Sequence, residues 1–73
     1  MSAMFIMRND LDPSDYSVVV KLRADSPTPW RWEIYCAGKQ LPVERSAIFF
    51  ETPRMARVAG KAALAQLMEK LNF

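Results

Sequence analysis

Cys36 is the single thiol of a 73-residue chain that contains no histidine. Without histidine there is no Ser-His or Cys-His dyad, no His-ligated zinc and no imidazole pH switch. A single cysteine forms no internal disulfide, which fits a reducing, cytoplasmic setting. To act as a nucleophile Cys36 would need a base, a helix N-terminus or cations beside it to lower its pKa. Its strand face instead carries Trp30, Trp32 and Ile34, so the expectation is a packed core thiol. Asp10, Asp12, Ser14 and Asp15 are spaced like the start of a calcium loop. The sixth loop position is then Asp15 where Gly is needed, and the twelfth is Lys21 where Glu is needed. A solvated acidic loop is the simpler reading. No phosphate loop, dinucleotide fingerprint or CxxC occurs, so the chain is expected to be no enzyme, with no catalytic residue, no cofactor and no metal.

Basic residues offer more. Lys21, Arg23 and Arg31 fall with Val19, Glu33 and Tyr35 on one face of two alternating segments. Cations around an aromatic on a flat sheet are one way small domains touch nucleic acid, which marks Lys21, Arg23, Arg31 and Tyr35 as nucleic-acid contacts. Glu33 in their midst weakens the phosphate surface, and a polar sheet face in water is also what antiparallel sheets ordinarily show. On the last segment Arg54, Arg57 and Lys61 form a basic flank. Residues 53 to 73 carry net +3, with Arg54, Arg57, Lys61 and Lys70 against Glu69. An ordinary solvated face explains those charges. Met55, Val58, Ala62 and Ala65 form a separate apolar strip, and Met55, Val58 and Ala62 are expected to contact a partner, a second copy included.

Four segments must position these groups. Met1 to Asp15 holds an apolar tetrad, Met4-Phe5-Ile6-Met7, which is either a frayed end or a short added strand, followed by an Asx-, Ser- and Pro-rich loop. Tyr16 to Ala24 alternates with period 2, as a half-buried strand does. The prolines of Asp25-Ser26-Pro27-Thr28-Pro29 end it. Trp30 to Ala37 alternates again, and Gly38-Lys39 supplies a turn. Leu41 to Glu51 alternates less cleanly, because Ile48-Phe49-Phe50 places bulk on both faces; a bulge near Ser46-Ala47, or cover on both faces, would explain it. Thr52-Pro53 then starts a helix reaching about Leu71, with Thr as the cap and Pro in the first turn. Its core face is Ala56, Gly60, Ala63, Leu64, Leu67 and Leu71, with Ala59 at the edge. Gly60 costs the helix roughly 1 kcal/mol against Ala.

Short connections between these segments predict an α+β fold: a three-stranded antiparallel meander packed on one C-terminal helix, with or without an extra N-terminal strand. Residues 1–15 are the N-terminal segment and residues 16–73 the single domain. Half the residues are hydrophobic and a quarter charged, which suits a globular domain and neither a disordered tail nor a membrane span. Met1 to Met7 lacks a basic lead and is too short for a signal peptide or an anchor. The net charge of +2 is a weak lean rather than a nucleic-acid signature.

Trp30-Arg31-Trp32-Glu33-Ile34, Gly38, Ser46, Phe50-Glu51-Thr52 and the Ala56-x-x-x-Gly60 spacing resemble small bacterial proteins of unknown function. That resemblance covers about residues 17 to 67. It implies the sheet-plus-helix fold and no activity. The same layout is similar to the arm-binding domains of phage-type integrases and to the plant ethylene-response DNA-binding domain. Those read DNA with basic residues on the open sheet, and the matching positions here would be Lys21, Arg23, Arg31 and Arg45. Glu33 and Glu44 depart from that pattern, and the basic tract around the turn is reduced to Lys39. The reading is a non-enzymatic interaction module, self-associating or bound to a protein, with weak nucleic-acid binding through the open sheet face as the alternative.

Overall fold

A computed structural model of the chain describes residues 12–23 and 25–72. A single 3-10 turn, Pro13–Asp15, leads into β1 (Tyr16–Leu22), β2 (Trp30–Cys36), β3 (Glu44–Arg45) and α1 (Pro53–Lys70). The strands form one antiparallel sheet in the order β1-β2-β3, and α1 rests mainly on β1 and β2. This is the expected α+β meander with its C-terminal helix. The Met4–Met7 tetrad and the expected extra strand lie outside the described residues.

Register follows from the alternation. Val18 faces Ile34 and Val20 faces Trp32, while Val19 faces Glu33 and Lys21 faces Arg31. Apolar residues thus share the helix side and polar residues the open side. Ile34 is fully buried, and Cys36 and Ala56 are buried with it. Gly60 brings the helix backbone down onto the sheet: a Cβ there would lie 2.7 Å from Val18 Cγ1 and 2.8 Å from Trp32 Cβ. The helix accepts the weak propensity of glycine in return for that approach.

Thr52 caps α1 as expected, its Oγ1 accepting from the Met55 amide at 3.1 Å. Ala59, Ala63, Leu64 and Leu67 are half-buried. Leu71 differs from expectation. It is the C-cap, past the last full turn, and 42% of it is exposed.

The fourth segment is also shorter than its hydrophobicity suggests, with only Glu44–Arg45 a strand. Pairing resumes at Phe50, which bridges to Trp30. Between the Glu33–Arg45 and Trp30–Phe50 pairs, three steps on β2 face five on the third strand. Two extra residues therefore bulge out around Ser46 to Phe49. Ser46 holds the bulge from inside: its amide donates to the Trp32 carbonyl at 3.0 Å and its Oγ accepts from the Trp32 amide at 3.3 Å. A hydroxyl takes the place of the missing ladder carbonyl, and Ser46 is buried.

Candidate anion-binding face

Glu33 occupies the middle of the middle strand, opposite Val19 on β1 and Arg45 on β3. Its side chain points away from the helix, yet the residue is only 4% exposed. The cover comes from its neighbours on the open face, whose long stems lie over it while their charges reach water.

Three side chains stabilise the charged form of Glu33. The Tyr35 hydroxyl donates to Glu33 Oε1 at 2.6 Å. Arg23 Nε lies 3.4 Å from Oε2, and Lys21 Nζ lies 3.8 Å from Oε1. Lys21 also donates to the Tyr35 oxygen at 3.1 Å and sits 5.0 Å from the Tyr35 ring centroid. Burial pushes the Glu33 carboxyl up, but the hydrogen bonds from Tyr35 and Arg23 and the charges of Arg23 and Lys21 outweigh it and leave it below its ordinary value. The carboxylate is therefore ionised at neutral pH and anchors three side chains at once.

Arg31 is fixed differently. Its Nη2 donates to the Ser46 carbonyl exposed by the bulge, and its guanidinium carbon lies 4.7 Å from the Phe49 ring centroid. Its Nε is buried with no hydrogen-bond partner among the described residues. The packed guanidinium forms part of the wall, and its orientation is set before any ligand arrives. Arg45 forms no ion pair or hydrogen bond among the described residues.

These groups line an open pocket of about 530 Å³ with Gln40, Leu41 and Pro42 at its lip. Four cations, Lys21, Arg23, Arg31 and Arg45, face the single carboxylate of Glu33, so the pocket carries net +3. Lys21, Arg23, Arg31 and Tyr35, the four residues picked from sequence, are brought together here. Arg45, indicated only by the DNA-binding resemblance, joins them. Phe49 was missed. Its facing turns on the length of the bulge: two extra residues preserve the alternation and keep odd positions from Arg45 to Phe49 on the open side.

The other candidates are separate from this pocket. Met55, Val58 and Ala62 lie on the outer side of α1, with Val58 66% and Met55 47% exposed. Asp12 and Asp15 are consumed in a capping box around the 3-10 turn: Asp12 accepts from the Ser14 amide, and the Asp12 amide donates to Asp15. The Ser14 hydroxyl and amide hold the Asp12 carboxyl below its ordinary value, so hydrogen bonding within the loop accounts for Asp12 and Asp15, while Asp10 lies outside the described residues. Among the described residues no His, Cys, Asp and Glu group could hold a metal, and no helix is long and apolar enough to cross a membrane. No protein-family model, curated protein or solved structure matches the chain.

Proposed function

We propose that the chain is a non-enzymatic interaction module that binds the phosphate backbone of a nucleic acid on its open sheet face. The observation that carries this reading is the net +3 pocket, in which Arg45 and the outer donors of Lys21, Arg23 and Arg31 have no second carboxylate among the described residues to satisfy them. Buried Glu33 makes the cluster tolerable to the fold without cancelling it. A positive field of this size supplies attraction and orientation, and its strength falls as salt screens it.

The test is fluorescence anisotropy with a labelled oligonucleotide over a salt series. Binding should weaken steeply with salt, and Arg45→Glu should lower affinity at low salt and flatten the salt slope. Binding that ignores both salt and Arg45→Glu overturns the reading.

A second reading rests on a different observation. Val58 and Met55 are large apolar side chains exposed on the outer side of α1, which supports a protein partner or a second copy at Met55, Val58 and Ala62. Sedimentation at tens of micromolar should then show an oligomer that Val58→Glu dissociates. A monomer throughout removes the second-copy version.

A further inference from the structure

The pocket holds more than charge, and its extra features have no use for a phosphate. Phe49 forms a wall with Arg31 packed against its ring, and the Tyr35 ring lies four residues further along β2, beside Lys21. Leu41 stands 77% exposed at the lip next to Pro42. Aromatic rings and guanidinium planes are the groups on which nucleobases stack, with little dependence on sequence. The volume of about 530 Å³ gives an open recess with room for a group of nucleobase size.

Shape then separates the two forms of nucleic acid. Duplex DNA presents phosphates on convex ridges and keeps its bases stacked, with only their edges in the grooves. The floor of this pocket is a sheet, and the 40–42 segment and the bulge carrying Phe49 line it from the side of the third strand. A duplex ridge would meet the cations but present no base face to the Phe49 ring. An unpaired nucleotide can enter. Ser46 and Phe49 hold Arg31 in place, and Glu33 holds Lys21, Arg23 and Tyr35, so the site needs little ordering on binding.

We infer that the pocket takes one unpaired nucleotide of a single strand, its base against the Phe49 ring and its flanking phosphates on Arg45, Lys21 and Arg23. This rests on the nucleic-acid reading above and narrows it to single strands.

The experiment compares labelled dT12 with the dT12·dA12 duplex, both titrated with the full chain at low salt. The single strand should bind at least ~10-fold more tightly than the duplex. Phe49→Ala and Phe49→Leu should each weaken single-strand binding by roughly 5- to 100-fold and leave the salt slope unchanged, since no cation is removed. Phe49→Leu keeps most of the apolar volume, so an intact fold by circular dichroism separates loss of the ring from loss of the domain. Duplex binding as tight as single-strand binding overturns this inference and leaves the polyanion reading standing. Unchanged affinity in folded Phe49→Leu also overturns it. If neither nucleic acid binds at low salt, both fall.

Discussion

The two faces of the sheet are closed by opposite means. On the helix side Val18, Val20, Trp32, Ile34 and Cys36 meet α1 through close apolar contact, with Gly60 set so near that a methyl group has no room. On the open side no element among the described residues covers the centre, yet Glu33 is almost as buried as Ile34 beside it. There the cover is a ring of cations and one phenol drawn in by a carboxylate. The first kind of burial is strong and inert. The second is weaker, because Lys21 and Arg23 remain partly in water, but it leaves a charged, preset surface. The apolar face supports the fold, and among the described residues the polar face carries no covering element.

That contrast can be broken first where it should cost most. Ile34→Ala removes the largest fully buried side chain and should destabilise by about 2–5 kcal/mol. Urea denaturation measures the loss, and nucleic-acid affinity of the remaining folded molecules should not change. Gly60→Ala comes next. It gains about 1 kcal/mol of helix propensity, yet the new methyl would lie under 3.0 Å from Val18 and Trp32. Overpacking of about 1–3 kcal/mol should prevail, and a lowered Tm would show it.

Glu33→Gln should cost only about 1–2 kcal/mol, because the charge-assisted bonds it weakens run to partners that water already reaches. Its effect on binding should have the opposite sign. The pocket rises from net +3 to net +4, Lys21 and Arg23 are released, and affinity for a polyanion increases. Acid should mimic this change. The folded carboxyl titrates below its ordinary value of 4.5, so its stabilisation is complete above that value and is lost as pH falls through the folded pKa. The stability gap between wild type and Glu33→Gln should therefore close in that acidic window, as followed by denaturation at stepped pH. Thr52→Ala touches neither face. Loss of the cap should cost about 1 kcal/mol with no change in binding, a control for effects of stability alone.

Much of this was legible in the residues. Period 2 in Tyr16–Leu22 and Trp30–Cys36, and Thr52-Pro53 ahead of an unbroken helical run, fix β1, β2 and α1 because local pattern and burial agree there. The third strand was not legible at full length. Its continuity depends on a Ser46 hydroxyl replacing a ladder carbonyl for Trp32, a contact between residues fourteen apart that no local pattern signals. The candidate site was half visible: Lys21, Arg23, Arg31 and Tyr35 share a face by parity alone. Glu33 read as a charge that dilutes the surface, whereas the structure makes it the group that assembles it. Phe49 escaped because its facing depends on the length of a bulge.

The most direct test maps where a ligand lands. Amide and side-chain NMR shifts of the labelled full chain, titrated with a short oligonucleotide at low salt, should move at Lys21, Arg23, Arg31, Glu33, Tyr35, Arg45 and Phe49. Met55, Val58 and Ala62 should stay still, and added salt should reverse the shifts. Shifts confined to the helix, or none on the open face, would contradict the assignment of binding to the Glu33-centred surface.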